Sequence, residues 1–112
     1  MDVTHLQYPT ELMYRDFDEL MHGQKVFTVQ DDFIRWDKEF ITSAIVTATE
    51  YKHKKGQSGE MQILQIVGDA RVFVANVAVY PGHVRIRVRV DWDEDIPVHV
   101  SIHLIRFKLR PS

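Results

Sequence analysis

From residue 83 onward, hydrophobic and polar positions alternate with little interruption. HVRIRVRVDW puts Val84, Ile86, Val88 and Val90 on one side of an extended chain and Arg85, Arg87 and Arg89 on the other. Period two over that length predicts a half-buried β-strand. The same texture, rich in β-branched residues, runs through ITSAIVTATEYKHK, EMQILQIV, ARVFVANVAVY and PVHVSIHLIRFKLR. KKGQSG, Gly68-Asp69, Pro81-Gly82 and DEDIP separate these runs. Breaks so short join neighbouring strands as antiparallel hairpins, so residues 41–112 read as a roughly five-stranded meander.

The first forty residues carry a different pattern. Pro9-Thr10 suits a helix start, Met13, Phe17, Leu20 and Met21 follow at helical spacing, and Gly23 suits a stop. KVFTVQ (25–30) is short and β-prone. DDFIRWDKEF (31–40) reads as a second helix with Phe33, Trp36 and Phe40 turned inward. The predicted class is α+β in one domain, 1–112. One or two N-terminal helices in an acidic part (1–40) pack on one face of a curved antiparallel sheet (41–112).

Counting outward from Pro81-Gly82 sets Val79 opposite Val84, Val77 opposite Ile86, Ala75 opposite Val88 and Phe73 opposite Val90. The DEDI break brings Val98, Val100, Ile102 and Leu104 beside Val90, Val88, Ile86 and Val84. That is one apolar face for the helices to cover. The other face gathers Asn76, Ala78, Tyr80, Arg85, Arg87, Arg89, His99, Ser101 and His103. Val72, Val74, Met61, Ile63, Val46 and Ala48 make its earlier strands apolar. After Leu104 the apolar set changes phase to Ile105, Phe107 and Leu109. This predicts a β-bulge or bend at 104–105, or a strand end that packs elsewhere, a second subunit included.

Composition narrows the choice of function. A chain of 112 residues, 45% hydrophobic and 27% charged, suits a single core without staples. The absence of cysteine excludes a disulfide framework and a thiolate metal site. No run approaches the roughly 20 apolar residues of a membrane span. MDVTHLQYPTEL has no basic region leading an apolar run. The expected location is the cytoplasm, a host cytoplasm included. The net charge of −2 hides an asymmetry: residues 1–40 hold nine acids and four bases, residues 41–112 seven acids and ten bases.

Against that background the arginine row raises the main question. Alternate residues on a strand lie about 7 Å apart, so neighbouring guanidinium groups repel by about 0.6 kcal/mol in bulk water and more near a low-dielectric surface. No acid lies opposite the row on the adjacent strands, and Asp91 stands just past its end. Water, the acidic helix 10–22 or an external anion can satisfy the row, and the planar donor fork of arginine suits the last. Lys52, Lys54, Lys55, Arg106, Lys108 and Arg110 are secondary basic contacts.

Other constellations point to no chemistry. His99 and His103 lie about 13 Å apart along a strand, too far for one metal ion. DWDEDIP lacks the glycine and spacing of a calcium loop, and QIVGDA lacks a phosphate-loop pattern. No serine sits in a G-x-S-x-G elbow. No catalytic residue, metal or cofactor is assigned.

The leading expectation is a non-enzymatic binding module. Its half-apolar face, lined by Arg85, Arg87, Arg89, His99, Ser101, His103, Asn76 and Tyr80, would bind an acidic protein partner or a second copy. The alternative is binding of a nucleic-acid backbone through the row and the secondary basic residues. Helices followed by a long curved sheet are also similar, as a fold, to the cone-shaped relatives of nuclear transport factor two. That fold-level likeness carries no function with it; the third reading is a cone-fold pocket protein or enzyme acting on a small anionic ligand, its pocket floored by Tyr80, Asn76, Arg87, His99 and His103.

Overall fold

The computed structural model describes residues 6–109, and these form seven strands and no helix. In chain order they are β1 (Leu6–Met21), β2 (Gly23–Gln30), β3 (Phe40–Lys55), β4 (Met61–Ile66), β5 (Arg71–Tyr80), β6 (His83–Asp91) and β7 (Ile96–Leu109). A four-stranded sheet has the order β1-β7-β3-β4 and a three-stranded sheet the order β2-β6-β5, with every pairing antiparallel. The two sheets pack face to face, and β3 approaches β5 on the open side, curling the whole toward a half-barrel. The expected α+β class is therefore corrected to all-β.

The expected first helix fails for a simple reason of spacing. Met13, Phe17 and Met21 are four residues apart, an interval that fits one face of a helix and one face of a strand equally well. The competition is decided by β7, which pairs with β1 from Leu6↔Leu109 to Met21↔Ile96. Met13, Phe17 and Met21 then face the interior, whereas Leu12 and Leu20 are 75% and 67% exposed on the far side.

The expected second helix is a loop shaped by aspartate side chains, which offer the backbone an alternative to helical hydrogen bonds. Asp31 Oδ1 accepts from the Phe33 N–H at 2.9 Å, and Asp37 Oδ1 accepts from the N–H groups of Glu39 and Phe40, each at 2.8 Å. These backbone bonds are the main cause holding the Asp37 carboxyl below its ordinary pKa. Buried Thr42 closes the loop: the Arg35 N–H donates to its Oγ1 at 2.8 Å, and its hydroxyl donates to the Phe33 carbonyl at 3.3 Å. Phe33 and Ile34 plug one end of the core, while Trp36, expected inward, is 49% exposed.

The core lies between the central strands of the two sheets. Val84, Ile86, Val88 and Val90 from β6 meet Val98, Val100, Ile102 and Leu104 from β7, all fully or almost fully buried. These runs were expected side by side in one sheet. They belong to different sheets and share an interior instead. The acidic segment after β6 does not make a hairpin but carries the chain across to the other sheet.

The Pro81-Gly82 turn is as expected. Gly82 has φ 83°, the left-handed position that follows proline in a type II turn, and Val79↔Val84 and Val77↔Ile86 pair as counted. A bulge between Val74 and Asn76 then shifts the register, so that Val74 meets Val88 and Val72 meets Val90. Val72 and Val74 turn inward, and the outer face loses the apolar half expected from them. No bulge interrupts β7 at 104–105 against β3. Instead Arg106 continues the inward phase at the end of the sandwich.

Candidate functional site: an arginine-lined sheet face

The outer face of the three-stranded sheet is fixed from within. Because β6 buries Val84, Ile86, Val88 and Val90, a slip of one residue would put four aliphatic side chains in water. Arg85, Arg87 and Arg89 must therefore project outward together. Arg85 pairs across to Thr28 and Ala78, Arg87 to Val26 and Asn76, and Arg89 to Gln24 and Phe73. Val26, Asn76, Ala78, Tyr80, Arg85 and Arg87 line a shallow groove. Val26 and Tyr80 are each 41% exposed. Beyond Tyr80 the His83 ring stacks on the phenol, with centroids 4.8 Å apart and planes at 13°.

The three arginines differ in what meets their charge. Arg89 Nε donates to Asp91 Oδ1 at 2.9 Å, and Arg71 lies 3.9 Å from the same carboxylate. Elsewhere Arg15 binds Asp31, Arg35 binds Asp37 and Arg106 binds Glu11. Among the described residues, Arg85 and Arg87 have no carboxylate partner. The acidic residues 10–22, expected as a helix that could neutralise the row, do not reach it, because β1 belongs to the other sheet.

His99, Ser101 and His103 are on the opposite side of the molecule, on the outer face of the four-stranded sheet. The structure separates them from the arginine row that they were expected to join. His99 is buried and lies between two β1 aspartates, with Nδ1 2.5 Å from Asp18 Oδ1 and Nε2 3.5 Å from Asp16 Oδ2. Tyr51 packs edge-on to it at 6.1 Å. Burial first, and then the Asp18 charge, push the Tyr51 phenol above its ordinary pKa. The Ser101 hydroxyl is 3.3 Å from the Tyr14 hydroxyl, and the His103 ring lies 4.9 Å from the Tyr14 ring. Both ring nitrogens of His99 face carboxylates rather than Ser101, so no nucleophile–base pair forms there. Among the described residues, no group of three or more His, Asp or Glu could hold a metal ion.

The secondary basic residues do not converge on the row either. Arg106 is largely buried, its guanidinium over the Phe33 ring at 4.3 Å and bonded to the Phe33 carbonyl and Glu11, each at 2.9 Å. It fastens the 31–39 loop to the sandwich. Lys52, Lys54 and Lys55 belong to the stretch of β3 that pairs only with β4, and Lys108 lies opposite Phe40. Arg110 lies outside the described residues.

Sequence reasoning missed the contribution of β2, which supplies Val26 and Thr28 as neighbours of the row. The alternation in KVFTVQ held that signal, since Phe27 and Val29 turn inward and Val26 and Thr28 outward. The chain matches no known family model, no curated protein sequence and no solved structure.

Proposed function

We propose that this protein is a non-enzymatic binding module that docks an acidic segment of a protein partner on the outer face of the three-stranded sheet. The observation that supports this reading most directly is the pair Arg85 and Arg87. They are the described arginines without a carboxylate partner, and they flank a groove with exposed apolar neighbours. Their spacing of about 7 Å matches the repeat of alternate side chains in an extended peptide. A Glu-x-Glu segment lying along the groove would meet both guanidinium groups with planar, charge-assisted hydrogen bonds. Val26 and Tyr80 would cover the apolar parts of such a peptide. Among the described residues, no helix is long and apolar enough to cross a membrane; a cytoplasmic location is part of the proposal.

A labelled peptide with glutamate at alternate positions provides the test, with fluorescence anisotropy measured against the intact chain. The expected result is saturable binding that weakens with salt and falls about tenfold or more in an R85A/R87A variant. Absence of binding at low salt would remove the proposal. Stronger binding to a single-stranded oligonucleotide of equal charge would replace it with the nucleic-acid alternative.

A further inference from the structure

Among the described residues, the longest unpaired strand edge is that of β1, a 16-residue strand at the border of the four-stranded sheet. Such an edge is a template for another strand unless charges, prolines or bulges block it. Here Pro9 and the irregular pairing are confined to the Leu6–Glu11 end, so a pairing centred on Met13 is regular from Glu11 to Arg15. Among the described residues, no backbone hydrogen bond reaches its outer side. On the outer face, from this edge across β7 to β3, Leu12 is 75% exposed, Tyr14 48% and Ile45 55%, and with Ile105 they line one groove.

We infer that β1 pairs antiparallel with β1 of a second copy of this chain, about a two-fold axis at Met13, joining two four-stranded sheets into one. Two identical antiparallel strands in one sheet, related by a two-fold axis, must set one residue opposite its own copy. The choices of that residue differ in what they set opposite: a centre at Leu12 sets Glu11 against Met13, and one at Phe17 sets Asp16 against Asp18. A centre at Arg15, Asp16 or Asp18 opposes like charges. A centre at Tyr14 sets Leu12 against Asp16 and Met13 against Arg15. A centre at Met13 sets Leu12 against Tyr14 on the outer face and Glu11 against Arg15 on the inner face, each twice by symmetry.

The Met13 register merges the two apolar grooves and places opposite charges on both sides of the axis. Glu11 and Arg15 already hold Arg106 and Asp31 within their own chain, yet their side chains remain 51% and 49% exposed. Each has room for a second partner. This interface is independent of the arginine face, which lies on the other sheet.

Sedimentation equilibrium of the full chain tests it, with circular dichroism as the control for folding. The wild type is expected to be a dimer. L12D, at a position that touches no ion pair, and R15E should each raise the dissociation constant about tenfold or more. E11R/R15E should bring it back below that of R15E. M13C provides a second readout, because directly opposed Cβ atoms at about 4.5–5.5 Å lie close to disulfide range and the chain has no cysteine. It should form a cross-linked dimer under mild oxidation while T28C, on the far sheet, does not. A wild type that stays monomeric at about 100 μM overturns the inference. So does a dimer indifferent to L12D and R15E, an E11R/R15E variant no tighter than R15E, or M13C that fails to cross-link.

Discussion

On the outer face of the four-stranded sheet, His99 sits buried between Asp16 and Asp18, and Tyr51 closes over it. On the outer face of the three-stranded sheet, Arg85 and Arg87 stand beside Val26, Asn76 and Tyr80 with no described carboxylate in reach. Both faces carry basic side chains on a central strand whose other side is aliphatic. The difference lies in the flanking strand. β1 places Asp16 and Asp18 opposite Ser101 and His99, whereas β2 places Val26 and Thr28 opposite Arg87 and Arg85. The first face satisfies its polar groups inside the molecule and thereby holds β1 to β7. The second leaves Arg85 and Arg87 without a described carboxylate, the feature on which the proposed docking rests. A cationic row signals binding only when the neighbouring strands fail to answer it.

The largest effects should come from the side that the two faces share. Ile86 and Ile102 are both fully buried, one from each sheet, so Ile86→Ala and Ile102→Ala should each lower the unfolding free energy by about 2–5 kcal/mol. Chemical denaturation should show one transition in both variants. Two transitions, or a large loss in only one variant, would mean that the sheets do not share a core.

Charge reversal should then separate the faces. R85E/R87E is expected to abolish measurable binding of the alternating glutamate peptide, a loss of about a hundredfold or more, and to change stability by less than about 0.5 kcal/mol. Titration calorimetry and a urea melt on the same sample read both quantities. Asp18→Ala should do the reverse: a stability loss of about 1–3 kcal/mol from the broken contact to buried His99, with peptide affinity unchanged. If Asp18→Ala weakened the peptide and left stability intact, the roles assigned to the two faces would have to be exchanged.

The smallest effect concerns pH. The folded state holds the Tyr51 phenol above its ordinary value of about 10, through burial and the Asp18 charge. That contribution is fully present below the unfolded value and is lost as pH rises through the folded one. Melting temperatures between pH 8 and 11 should therefore fall less steeply in Tyr51→Phe than in the wild type. Parallel curves would show that Tyr51 contributes nothing to the alkaline limb.

Much of the sheet was legible because alternation in HVRIRVRVDW admits only one extended reading, and Pro81-Gly82 dictates its turn. The segment around Met13, Phe17 and Met21 was not, since a spacing of four serves both helix and strand and only the pairing with β7 decides. Nor could the sequence show that Asp37 and Asp31 would take over the backbone of 31–40. The outward direction of Arg85, Arg87 and Arg89 followed from the valines behind them. Their neighbours did not, because DEDIP can close a hairpin or cross to a second sheet with equal ease. That one ambiguity moved His99 and His103 to the far side of the molecule.

An NMR titration of the intact chain with the alternating glutamate peptide, following backbone amides and arginine Nε–H groups together, reports directly on which face binds. The Nε–H signals of Arg85 and Arg87 and the amides of Val26, Asn76 and Tyr80 should move first, while those of Asp18, His99 and His103 stay still. Shifts led by His99, His103 or Leu12, or no shifts at low salt, would contradict the assignment of the binding face.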